Sequence, residues 1–422
     1  MTRVVVTGMG AITPNGRNLD EFCQSLLHHV SGIKFHKHLE EIGMRCCVAG
    51  IPIEDDTILK TNFSTSDIKH ITSKNIKYAC IAATEAWIDA GLVINNDIED
   101  LETGCIIGCS TGDIHQFREV IQKVDNHQIK RLGTRFIEQL MVSGASAKVA
   151  GLLGLGNRVF SNSSACATGT ESIIMGYEYI RSGRAKRMLA GSCESPDEYI
   201  WSNFDNMRIL ARGYNDIPEK SSRPLSASAK GFIPGAGAGI LVLETLETAI
   251  QRNAKIYAEI IGGFSNSGGQ RRGGSMTAPN KNGVVNCIKG ALKDAAILPE
   301  NVDLISGHLT ATMADPIEIE NWSVALGRKQ KKFPKINTLK SMIGHCLSAA
   351  GSIEIVSLIL QVHHEFIHAN MNCKDIHKDI LKNIDAGCIP QERESYKIRT
   401  ALKANFGFGD VNATIAIKKY NA

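Results

Sequence analysis

Residues 158–180 read as a strand, a small-residue turn and an amphipathic helix in immediate succession, with one cysteine in the turn. Arg158-Val159-Phe160 is the strand and Ser161 to Thr170 the turn; apolar residues then recur at Ile173, Ile174, Tyr177 and Ile180, which is helical spacing. Cys166 is therefore expected to face unpaired backbone N–H groups and the positive end of a helix dipole, both of which favour thiolate over thiol. Small neighbours leave room for a carbonyl to approach. A lone cysteine of this kind is more often a buried structural residue.

Two later segments change that balance. Val302-Asp303-Leu304-Ile305 reads as a buried strand and leads into Gly307-His308-Leu309-Thr310-Ala311-Thr312. Lys335-Ile336-Asn337-Thr338 is another strand, followed by Lys340-Ser341-Met342-Ile343-Gly344-His345 and a small-residue helix carrying Glu354. One cysteine and two histidines thus each stand where a strand ends, the edge at which layered α/β folds build their sites. Glu354, set between Ile353 and Ile355, reads as a buried, paired carboxylate.

These motifs resemble the β-ketoacyl-acyl carrier protein synthases of the elongating type, within the thiolase-fold condensing enzymes. The resemblance runs the length of the chain. It includes Val4-Val5-Val6-Thr7-Gly8-Met9-Gly10, Arg223-Pro224, the glycine-rich Gly235 to Gly239, Thr277-Ala278-Pro279, and Asn405-Phe406-Gly407-Phe408-Gly409. It implies an α/β, thiolase-like five-layer αβαβα fold with two pseudo-duplicated halves. A faint echo of residues 4–10 at Ile256 to Gly263, both read as strands ending in glycine turns, fits that duplication. The division is expected near Gln251–Lys255, giving halves 1–251, with the nucleophile, and 252–422, with both histidines.

The resemblance also assigns roles. Cys166 holds the acyl chain, and Lys340 pairs with Glu354. The backbone N–H groups of Cys166 and Phe408 form an oxyanion hole, and Phe408 gates the acyl pocket. Thr310 and Thr312 hydrogen-bond a phosphopantetheine arm, and Thr111 lines the pocket. The chemistry of the groups agrees. A thiolate takes an acyl group from a thioester to give a thioester of equal energy. Carbon–carbon bond formation then needs a carbanion equivalent, supplied by decarboxylation of a malonyl thioester. Two imidazole N–H donors, His308 and His345, stabilise the enolate without a metal. No dissociable cofactor is expected, because acyl carrier protein brings both substrates on its phosphopantetheine. A homodimer is the simpler expectation and a heterodimer with a related synthase subunit the alternative, with Val159-Phe160 placed to contribute a strand edge.

Departures from the family pattern are several. Leu309, Ala236, Ser348 and Asp410 stand where glycine, glutamate, glycine and glycine are usual, and Leu225-Ser226-Ala227-Ser228 replaces the aspartate-bearing stretch after Arg-Pro. They suggest a specialised synthase, for a polyene or polyketide chain. A non-catalytic chain-length-type partner subunit is the alternative; it would be expected to lack the cysteine. The rival from another class is a zinc metalloprotease, since His364-Glu365-Phe366-Ile367-His368 matches H-E-x-x-H. That pattern needs one continuous helix, and the helix here is expected to end near His363-His364.

Composition excludes other classes. With 422 residues, 43% of them apolar, the chain buries a large core. A net charge of +4, spread along the sequence, does not call for nucleic acid. The 12 cysteines show no C-x-x-C pairing, so reduced thiols in a cytoplasm are expected. The apolar run Ile353–Val362 is too short to span a membrane and contains Glu354.

Overall fold

The computed structural model describes residues 2–95 and 97–421. Ten strands form the main sheet: β1 Val4–Ile12, β2 Thr103–Gly108, β3 Val159–Phe160, β4 Arg187–Glu194, β5 Gly237–Thr245, β6 Ala258–Ser267, β7 Leu304–Ser306, β8 Lys335–Asn337, β9 Thr400–Gly407 and β10 Val411–Lys419. Their spatial order is β8-β7-β9-β10-β6-β1-β5-β4-β2-β3. Counted outward from the centre, the first half runs 1-5-4-2-3 and the second 6-10-9-7-8, the same order offset by five. Strand directions repeat as well: β1–β5 and β5–β4 are antiparallel, β4–β2 and β2–β3 parallel. The same holds for β6–β10, β10–β9, β9–β7 and β7–β8. The halves join through a short β1–β6 seam, Val4↔Ile260, Val5↔Glu259 and Val6↔Ala258.

Helices follow the duplication: α1 Lys74–Asp89, α2 Gly144–Leu153 and α3 Thr168–Arg181 in the first half; α4 Lys281–Asp294, α5 Asp315–Leu326 and α6 Ala350–His364 in the second. Helices α1 and α2 cover the outer face of the first half-sheet, α4 and α5 that of the second, and α3 and α6 lie between the two half-sheets. This is the expected five-layer αβαβα arrangement. Every residue of β1 is buried, as a strand covered on both faces requires. Helix α6 is buried from Ala350 through Val362, so its apolar residues surround it instead of forming one stripe.

One expectation needs correction. The glycines of the echo lie inside β1 and β6 and do not end them. Outer elements lie too close there for a side chain: a Cβ at Gly10 would stand 2.0 Å from the Ala82 carbonyl oxygen, and one at Gly262 would stand 2.4 Å from the Ala295 nitrogen.

The two inner helices touch through a reciprocal glycine contact. A Cβ on Gly169 of α3 would be 2.5 Å from Ser352 N of α6, and a Cβ on Gly351 of α6 would be 2.5 Å from Thr170 N of α3. The first turns of both helices are thus held backbone to backbone. Gly351→Ala should cost about 1–3 kcal/mol through overpacking and lower catalytic turnover as well, because Thr170 also bonds Asn405 beside the site. Urea denaturation and steady-state kinetics on the same preparation check this; a variant unchanged in both would remove the contact's importance.

Candidate active site

Cys166 follows β3 and precedes α3, and His345 follows β8 and precedes α6. These are equivalent places in the two halves. The crossing of α3 over α6 therefore delivers a residue from each half to one point: His345 Nε2 lies 3.2 Å from Cys166 Sγ. His308 follows β7, and its ring meets that of His345 edge to face at 5.3 Å. The sulfur and one nitrogen from each ring lie within 4.8 Å of one another.

Hydrogen bonds fix the tautomer of both rings. His345 Nδ1 accepts from the Leu347 N–H at 3.2 Å. His308 Nδ1 accepts from Asn405 Nδ2 at 3.1 Å. The Asn405 amide is itself oriented, because Nδ2 also donates to Glu354 Oε2 at 3.1 Å while Oδ1 accepts from Thr170 at 2.6 Å. Each imidazole therefore carries its proton on Nε2 and presents a donor to the cavity. That arrangement suits an oxyanion and withholds the lone pairs a metal would need from these rings. Burial, reinforced by the Lys340 charge, holds His345 down at about 3 and His308 well below its ordinary range, so both are neutral donors at physiological pH.

The expectation of a resting thiolate is not met. Burial pushes the Cys166 thiol up to about 12; Lys340 and the Phe408 N–H pull it down, while Glu194 and Glu354 push it further up. Desolvation is the largest of the influences on this thiol. Two donors, His345 Nε2–H and Phe408 N–H, nonetheless face the sulfur and favour its anion once formed. Gly407 admits the Phe408 turn to this position: a Cβ there would be 3.1 Å from Cys166 N.

Behind the histidines, Lys340 Nζ is hydrogen-bonded to Glu354 Oε1, with both side chains buried. Burial raises the Glu354 carboxyl, but Lys340 and Lys403 outweigh it and hold it at about 2. A cavity of about 750 Å³ reaches the sulfur, and Thr111, Thr310, Thr312 and Phe408 all line it. The Thr310 and Thr312 hydroxyls lie 3.0 Å apart, and the Thr111 hydroxyl donates to the Gly112 carbonyl. Phe408 packs against Phe204 with ring centroids 6.1 Å apart.

Four departures have physical accounts. Leu309 sits at φ +23° with its side chain fully buried in the second half's core. Ala236 is buried in the first half's core. Ser348 donates from its backbone N–H to Glu194 at 3.1 Å and bonds the same carboxylate through its hydroxyl, while Ser110 holds the other oxygen at 2.6 Å. The buried Asp410 carboxylate accepts from the Gln270 and Asn280 N–H groups, each at 2.8 Å, and so ties down the loop around residues 268–280.

Asn405, Lys403, Glu318 and Glu194 were not singled out by sequence reading. Glu318 accepts the His308 and Leu309 N–H groups at 2.7 Å and fixes the histidine loop. The available signal was a polar or charged residue inside an otherwise apolar run, as in Ala401-Leu402-Lys403-Ala404. The zinc pattern is broken by the fold: His364 ends α6, Glu365 is left-handed at φ +55°, and Phe366–Ile367 is a strand.

Since the thiol is raised, alkylation of Cys166 by iodoacetamide should keep accelerating between pH 7 and 10, with no plateau near neutrality. Mass mapping of the alkylated peptide measures this, and a plateau at pH 7 would show that the thiolate is already the resting form.

Comparison with known proteins gives a consistent result. The family described as Beta-ketoacyl synthase, N-terminal domain matches residues 1–249, and Beta-ketoacyl synthase, C-terminal domain matches 257–374. The 3-oxoacyl-[acyl-carrier-protein] synthase 1 of Haemophilus influenzae is 33% identical over 432 residues, covering the whole of both chains. A type II PKS acyl-carrier protein in complex with its ketosynthase bound to the hexaketide aligns with TM-score 0.86 and 30% identity, and the ishigamide ketosynthase/chain length factor with 0.88 and 25%, each covering all of both chains.

Proposed function

The chain belongs to the β-ketoacyl synthase family, and from that premise we propose that it is a 3-oxoacyl-acyl carrier protein synthase with Cys166 as its nucleophile. The observation that carries this reading is the meeting of Cys166 Sγ with two neutral, Nε2-protonated imidazoles at the floor of one cavity.

Cys166 attacks the thioester of an acyl carrier protein, and the carrier thiol leaves. The acyl carbonyl oxygen, as it becomes an oxyanion, takes hydrogen bonds from the Cys166 and Phe408 N–H groups. A malonyl carrier then enters past Thr310 and Thr312. Loss of carbon dioxide leaves an enolate whose oxygen sits at the Nε2–H donors of His308 and His345. The enolate carbon attacks the acyl-Cys166 carbonyl, and the sulfur departs, giving a β-ketoacyl carrier protein. Lys340 and Glu354 support the histidines from below. No dissociable cofactor takes part, since the phosphopantetheine belongs to the carrier. The presence of the cysteine and both histidines favours a working synthase over a non-catalytic chain-length subunit.

Among the described residues no helix is long and apolar enough to cross a membrane, and the cysteines are unpaired thiols. A cytoplasmic enzyme fits these facts. Edge strand β3 ends the first half-sheet with Val159 exposed. In the same half, the helix Ile114–Asp125 has no buried residue and carries a stripe of Phe117, Ile121 and Val124 at i, i+4 and i+7. An unpaired edge and an uncovered stripe favour a dimer, most simply of identical chains. The departures at Leu309 and Asp410 suit a specialised polyene or polyketide synthase, for which a related subunit is the alternative partner.

Incubation with acyl- and malonyl-carrier proteins, followed by intact-mass analysis, tests the assignment. Cys166→Ala should abolish condensation, whereas His308→Ala and His345→Ala should still load acyl groups yet lose carbon dioxide release by about 10²–10³-fold. Acyl mass on Cys109 or Cys193, or normal decarboxylation in both histidine variants, refutes it. Sedimentation at low micromolar concentration should give a dimer; an active monomer would sink the dimer proposal.

A further inference from the structure

Glu354 is shared by two ammonium groups. Lys340 holds Oε1, and Lys403 Nζ lies 2.6 Å from Oε2, with all three side chains buried. Lys403 stands on β9 opposite Ser306 of β7. Its nitrogen also donates to the carbonyls of Ala404 at 2.7 Å, Gly307 at 3.2 Å and Ser306 at 3.3 Å. An ammonium so fully provided with acceptors carries its charge at neutral pH although buried. Two cations on one carboxylate leave a unit of positive charge directly behind His308, to which Glu354 is linked through Asn405. Glu318 is the other acid near Lys403; burial raises it to about 7, so it offsets only part of that charge at neutral pH.

Resting on the function proposed above, we propose that Lys403 is a positioning residue for the condensation, whose ammonium supplies the excess positive charge against which the enolate develops. When the malonyl carboxylate leaves as carbon dioxide, its bonding electron pair moves onto the enolate oxygen at the histidine N–H donors. The pair then forms the bond to the acyl carbon, and the sulfur of Cys166 takes up the electrons of the broken thioester bond. A fixed charge in a dry site stabilises that anion without rearrangement. Acyl loading, which begins from the sulfur, draws on it less.

The charge has a pH limit. Burial lowers Lys403 to about 8, with Lys340 adding to the shift and Glu354 opposing it. The groups facing it are Glu354 from α6, Lys340 and His345 from the segment before α6, Glu318 from α5, and His308 from the loop after β7. Below pH 8 the ammonium is charged; above it the charge is lost.

Single-turnover carbon dioxide release from malonyl carrier protein on the pre-acylated enzyme, between pH 6.5 and 9.5, tests this. The wild-type rate should fall as pH rises through about 8. Lys403→Met should be at least tenfold slower at pH 7, without the falling limb, while acyl transfer to Cys166 changes less than twofold. Lys403→Gln keeps two neutral N–H donors beside the carbonyls and should behave like Lys403→Met. Glu354→Gln combined with Lys403→Met again leaves one unbalanced cation, Lys340, and should recover rate relative to Lys403→Met. A folded Lys403→Gln enzyme with wild-type rate and pH limb overturns the proposal. So does a wild-type profile flat across pH 8, which requires no variant. Failure of the wild type to decarboxylate at all would instead refute the proposed function.

Discussion

The site depends on the contact between Gly169 and Gly351. Cys166 stands just ahead of one inner helix and His345 just ahead of the other. Any side chain at the crossing would separate the two helices and the groups they carry. The glycine pair lets backbone meet backbone at the first turn of each, and the 3.2 Å separation of sulfur and imidazole follows from it. Neither half of the chain contains this geometry alone, because one helix comes from each.

Around that contact, the electrostatics divide the labour. The imidazoles are neutral because burial and nearby ammonium groups forbid their protonation. They act as oriented donors, each fixed from behind by a hydrogen bond at Nδ1. Charge is stored one layer deeper, on the two lysines that share Glu354. Glu318 and Asp315 hold the histidine loop by accepting the N–H groups of His308, Leu309, Thr310 and Ala311. The loop thus keeps Leu309 at a positive φ that glycine would adopt more cheaply.

Legibility followed distance along the chain. Cys166, His308 and His345 could be read because each lies in a short strand-to-helix junction whose pattern is local. The end of α6 before Glu365, which dismantles the zinc pattern, was legible for the same reason. Lys403, Asn405 and Glu194 were not, since their roles arise from partners such as Glu354, His308 and Ser348, which lie 49 to 154 residues away. The thiolate expectation failed in the same manner: the helix start is local, whereas the desolvation that raises Cys166 comes from the assembled walls of the cavity. The pairing of the halves was visible only as an echo between β1 and β6. The complete repeat lies in strand order and direction, which side chains do not spell out.

The split of the site across the seam has a consequence in time. A chain is made from its N-terminus at roughly 5–20 residues per second, so Cys166 emerges ~10–50 s before Asn405, which lies on the last strand but one of the second half-sheet. Throughout that interval the nucleophile lacks the partners that would make it productive. Reactivity thus waits until the second half has been made, a requirement that comes from the order of the strands alone.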